Sequence, residues 1–98
     1  MPLFMALLTL EFHLDGNDNL KAKRRVANSL KQKTRQKFNV AIAEAGSENS
    51  HSRLRLAVVS ASNSEVHLRS RMEKCLEMME TICPEKLTDN RLEIYVPD

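Results

Sequence analysis

Four stretches of the chain alternate apolar and polar residues, and two repeat apolar residues at helical spacing. Leu8, Leu10, Phe12 and Leu14 alternate with Thr9, Glu11 and His13, the period of two that marks a strand with one buried face. Asp15-Gly16-Asn17-Asp18-Asn19 is turn chemistry, and Asp18 or Asn19 is placed to cap a helix. From Leu20 to about Lys37 the positions Leu20, Val26, Ala27, Leu30 and Thr34, closed by Phe38, fall on one helical face. Lys21, Arg24, Asn28, Lys31 and Arg35 follow a 3-4-3-4 spacing, which predicts a continuous exposed ridge.

Val40 and Ile42 alternate with Ala41 and Ala43, a second strand within Phe38 to Glu44. A polar loop follows, Gly46 to Ser52, then a third strand in which Leu54, Leu56 and Val58 alternate with Arg53, Arg55 and Ala57. The loop suits a hairpin, so these two strands are expected to be antiparallel. Ser62 with Glu65 reads as a capping box. Leu68, Met72, Cys75, Met79 and Ile82 repeat at 4-3-4-3 and Pro84 stops that helix, with Glu73, Glu77 and Glu80 on another face. Leu92, Ile94 and Val96 alternate with Arg91, Glu93 and Tyr95 as a last strand.

The order is βαββαβ. With right-handed crossovers this predicts an α+β fold, the ferredoxin-like sandwich: one domain over residues 1–98, with two helices on one face of a four-stranded antiparallel sheet in strand order 4-1-3-2. Leu10, Phe12, Val40, Ile42, Leu56, Val58, Leu92 and Ile94 are expected beneath the helices. The uncovered face is expected to carry Thr9, Glu11, His13, Ala41, Ala43, Arg53, Arg55, Ala57, Val59, Arg91, Glu93 and Tyr95.

Charge changes the picture. The formal net charge of +2 hides an asymmetry, because eight of the 15 basic residues lie between Leu20 and Phe38. No acidic residue occurs from Leu20 to Ala43, and the rest of the chain has a balance of −6. Lys21, Lys23, Arg24 and Arg25 crowd the start of the first helix, where the macrodipole is already positive and each cation costs roughly 0.3–1 kcal/mol. Helix stability does not explain them; an external anion does, and RNA phosphate is the commonest large one in a cytosol. The bland alternative is a solvated ridge partly paired with Glu73, Glu77 and Glu80. Lys23 falls within the apolar stripe, so its stem is expected to be covered while its ammonium snorkels to water.

Hydrophobic residues make up 42% of the chain and aromatic ones 4%, with no Trp, so Leu, Val, Met and Ala must fill a small core. Cys75 and Cys83 lie too far apart along one helix to bridge and read as reduced core residues of a cytosolic protein. The apolar start, Leu3 to Leu10, lacks a basic leader and is too short to span a bilayer.

Several stretches also resemble the YlxP-like family of small bacterial domains of unassigned function. They are Leu8-Thr9-Leu10-Glu11-Phe12-His13-Leu14, Gly16, Leu20-Lys21-Ala22-Lys23-Arg24-Arg25, Lys37-Phe38-Asn39-Val40-Ala41-Ile42-Ala43-Glu44 and Ala57-Val58-Val59-Ser60. The resemblance implies a ferredoxin-like fold and, from the translation and ribosome-maturation genes that neighbour family members, a link to the ribosome. Members commonly carry Trp-Gln-Arg where the loop enters the third strand; this chain has Asn49-Ser50-His51 there.

The expected function is therefore a non-enzymatic cytoplasmic binding protein, associated with RNA or the ribosome through Lys21, Lys23, Arg24, Arg25, Lys31 and Arg35. The alternative is a protein-interaction module that homodimerises through Ala41, Ala43, Ala57 and Val59 on the open sheet, since few aromatics are there to stack bases. A third reading, an enzyme or metal site built on Glu11 and His13 with His51 nearby, has no third ligand fixed by spacing. Neither a phosphate-cradling glycine loop nor zinc spacing is present, and no cofactor, metal, membrane or small-molecule substrate is expected.

Overall fold

A computed structural model describes residues 2–16, 19–83 and 86–97. The elements are β1 (Phe4–His13), α1 (Leu20–Lys37), β2 (Ala41–Glu44), β3 (Arg53–Ser62), α2 (Glu65–Ile82) and β4 (Lys86–Tyr95). The four strands form one antiparallel sheet in the order β2-β3-β1-β4, the expected ferredoxin-like arrangement. Central β1 pairs with β3 from Phe4 opposite Ser62 to His13 opposite Arg53. It pairs with β4 on its other side, with a shift in register between Glu11 and Phe12.

One sheet face is buried under the helices. Leu8, Leu10 and Phe12 from β1, Ile42 from β2 and Leu54, Leu56 and Val58 from β3 meet Ala27 and Leu30 of α1 and Leu68, Met72, Cys75 and Met79 of α2. Of the eight residues expected there, Leu10, Phe12, Ile42, Leu56 and Val58 are buried, while Val40, Leu92 and Ile94 are half-buried against the same core. Those three flank or occupy the outer strands, where the helices give less cover.

Element boundaries differ from expectation at several points, β2 among them, which starts at Ala41 and not at Phe38. Strand β1 starts at Phe4, because Leu3 to Leu8 is apolar on both faces and shows no alternation to read. Strand β4 begins at Lys86, where the ladder to β1 overrides the turn-like Thr88-Asp89-Asn90. It ends at Tyr95, leaving Val96 outside the strand. Ser62 does not cap α2, since it remains paired with Phe4 at the end of β3. Ser64 is the cap, with extended backbone and a side chain that accepts from the His67 amide.

Candidate functional site

Helix α1 carries the largest concentration of one charge. Its 18 residues contain no Gly or Pro and are rich in Lys, Arg, Ala and Gln, all favourable in a helix interior except for their charge crowding. Asn19 caps it, its side-chain oxygen accepting from the Ala22 amide at 3.1 Å; Asp18, the other candidate, lies outside the described residues. Lys23, Ala27, Leu30 and Thr34 form the buried stripe. The first turn holds no acidic residue, and the last turn adds Arg35 and Lys37. The structure therefore places cations at both ends of the helix, and the helix itself supplies no carboxylate.

The six candidate residues divide into four kinds. Lys21, Arg24 and Arg25 are exposed. Lys31 is half-buried and adds positive potential to Glu44 of β2. Arg35 is exposed but ties one guanidinium nitrogen to the Ile42 carbonyl at 2.9 Å. Lys31 and Arg35 thus lie on the flank of α1 that faces edge strand β2, whereas Arg25 lines a cleft with Ile82 and Cys83 at the end of α2.

Lys23 departs from expectation. It does not snorkel; it is 2% exposed. Its ammonium lies 2.7 Å from the Glu44 carboxylate, and it donates to the Ser50 carbonyl at 2.6 Å and to the Ser47 carbonyl. An ammonium has three protons, and three acceptors surround it. The reason is the β2–β3 loop, which folds back over the start of α1 and shields this one lysine. Ser47 completes the arrangement: its buried hydroxyl donates to Glu44 at 2.8 Å and accepts from the Arg55 amide at 2.8 Å. Gly46, at φ +90°, makes the turn that allows it. Lys23 is therefore a clasp between helix and loop and is not available to an external anion. No motif or spacing in the sequence pairs it with Glu44, which lies in a different element. The one available signal is that Glu44 is the first acidic residue after α1 begins.

The pairing of the ridge with α2 does not occur. Among the described residues no ion pair joins α1 to Glu73, Glu77 or Glu80, which are exposed. The only α1 cation in an ion pair there is Lys23.

The open sheet face is divided. In register across the strands lie Tyr95, Met5 and Ala61, then Glu93, Leu7, Val59 and Ala41, then Arg91, Thr9, Ala57 and Ala43. Met5 and Val59 are 46% and 45% exposed. Ala41 and Ala43 are exposed and Ala57 is half-buried. No alternation at the start of β1 marks Met5 and Leu7 in the sequence, and Ala61 lies beyond the alternating part of β3. The other end of the face is charged. Arg53 approaches Glu11 at 3.3 Å, Arg91 approaches Glu93 at 3.0 Å, and His13 lies 3.0 Å from Asp15. Glu11 and His13 thus each have a separate partner. Among the described residues no group of three His, Cys, Asp or Glu is placed to hold a metal ion, and no helix is long and apolar enough to cross a membrane.

Residues 5–92 match the family described as Protein of unknown function (DUF503). The chain belongs to that family. The DUF503 match runs from Met5 in β1 to Leu92 in β4 and so includes all of α1 and most of the open face. No curated protein matches the chain. Among solved structures, the de novo designed protein Foldit4 is similar at TM-score 0.60 and 7% identity, over 98% of this chain and 99% of that one. A dimeric ferredoxin-like protein of unknown function from Thermobifida fusca is similar at TM-score 0.55 and 16% identity, over 97% and 92%. A putative antibiotic biosynthesis monooxygenase from Nitrosomonas europaea is similar at TM-score 0.51 and 10% identity, over 95% and 89%. At such identities the likeness shows the fold alone.

Proposed function

We propose that this DUF503 protein is a non-enzymatic cytoplasmic binding protein that holds RNA phosphate on the outer surface of α1. The observation that carries the reading is the absence of any ion pair for Lys21, Arg24 and Arg25 among the described residues, at a helix end whose dipole disfavours them. Lys31 and Arg35 extend the same charge toward β2, while Lys23 serves the fold. The YlxP-like resemblance supports the ribosome as the source of the RNA. The test is co-sedimentation of the native protein with ribosomal subunits at low salt, beside a Lys21→Gln, Arg24→Gln, Arg25→Gln variant. The parent should sediment with a subunit and the variant should stay in the supernatant with its fold intact. A parent that never sediments and binds no isolated ribosomal RNA contradicts the reading.

A second reading is favoured by the divided sheet face and is compatible with the first. The apolar end, centred on Met5, Leu7 and Val59, suits a second copy of the chain. The face as a whole sets Arg53, Arg55 and Arg91 against Glu11, Asp89 and Glu93, the last of these directly opposite Leu7 at the edge of the apolar rows, a balance that suits self-association better than a polyanion. In such a homodimer the α1 helices lie on the outer surfaces.

A further inference from the structure

The basic flank of α1 ends at an aromatic residue that the ridge does not use. Phe38 is half-buried where α1 gives way to β2, and two adjoining clefts share it and Lys74. The first, of about 360 Å³, is lined by Lys37, Phe38, Lys74, Glu77, Met78, Thr81 and Ile82. The second, of about 300 Å³, is lined by Phe38, His67, Ser70, Arg71 and Lys74. Both volumes lie at the lower end of the roughly 300–1,000 Å³ of small-ligand sites.

The two clefts differ in chemistry. Among the described residues the second has no carboxylate and carries Arg71 and Lys74. Arg71 is fixed in place by donating to the Ser60 hydroxyl at 2.7 Å and to the Ala61 carbonyl at 3.1 Å. Among the described residues the first has apolar walls from Met78 and Ile82 and one carboxylate, Glu77. The Lys37 ammonium sits 5.8 Å from the Phe38 ring centroid, which keeps a cation beside the aromatic surface. Aromatic surface beside cations is how proteins hold unpaired bases with their phosphates.

We infer that Phe38 and the clefts on either side of it hold one unpaired nucleotide of a single-stranded RNA, the base in the first cleft and a phosphate in the second. The inference rests on the reading of α1 as an RNA surface and extends it, because duplex RNA has no unpaired base to offer. Glu77 accepts from an exocyclic amine, so a base that carries one (cytosine, adenine or guanine) is preferred to uracil there.

The experiment compares a short single-stranded RNA oligonucleotide with an RNA duplex of the same length, by fluorescence anisotropy. Phe38→Leu keeps apolar bulk at the site, and Lys74→Gln changes an exposed residue, so a folding defect in one does not remove the test. Both variants should weaken single-strand binding, Phe38→Leu by about tenfold, and leave duplex binding unchanged. Arg24→Gln should weaken both. If the Phe38 and Lys74 variants bind both RNAs as the parent does while Arg24→Gln weakens both, the nucleotide site is wrong and the α1 reading stands. If Lys74→Gln leaves single-strand binding unchanged, the phosphate cleft is wrong; if Arg24→Gln leaves both RNAs unchanged, the α1 surface on which the inference rests is wrong, and either result overturns the inference as stated. No binding to either RNA overturns both.

Discussion

At the scale of single residues the least legible feature is the Lys23–Glu44 clasp. The apolar spacing of α1 marked Lys23 as covered, but an ammonium held away from water requires acceptors, and two of those come from a loop 24 to 27 residues onward. Replacing Lys23 by Met leaves the Ser47 and Ser50 carbonyls without their donor and Glu44 without its countercharge, with only the Ser47 hydroxyl still donating to it, and should cost about 3 kcal/mol in urea denaturation. Adding Glu44→Gln should cost less than the sum of the two single changes, because the residues act together. Burial raises the Glu44 carboxyl pKa, but hydrogen bonds from Lys23 and Ser47 and the charges of Lys23 and Lys31 outweigh it and hold it below the ordinary 4.5. The clasp therefore contributes fully above that pH and is lost as pH falls through the lowered folded value. Glu44→Gln should flatten this acid limb of the stability curve; an unchanged limb contradicts the assignment.

At the scale of elements, both helices and the alternation of β3 were legible because one face of each is apolar and the other polar. The ends were less so. The double-faced apolar start of β1 and the polar start of β4 are set by pairing with neighbouring strands, which no local pattern records. The α2 cap shows the same limit: Ser62 and Ser64 are both suitable, and the strand claims Ser62. Ser64→Ala should therefore lower stability by about 1 kcal/mol, read as a shift in the urea midpoint. An unaffected midpoint would contradict the assignment of Ser64 as the cap.

At the scale of the molecule, the sheet separates two surfaces of different chemistry: a cationic helix on one side and a divided apolar and charged face on the other. The order of elements was enough to give that separation, whereas the apolar rows of the open face needed the register of β1 against β3. Val59→Lys places a charge in those rows without touching the core, and should convert a dimer to a monomer in sedimentation equilibrium while leaving RNA affinity per chain in place. A parent that is monomeric at high concentration contradicts the sheet interface alone. The central claim is that α1 binds phosphate, and salt dependence tests it most directly. The affinity of the parent and of Arg24→Gln, Arg25→Gln for one ribosomal RNA fragment should be measured across a series of salt concentrations. Parent affinity should fall linearly with salt on logarithmic axes, and the variant's slope should be shallower by about one unit per lost contact. Equal slopes and equal affinities would contradict the account.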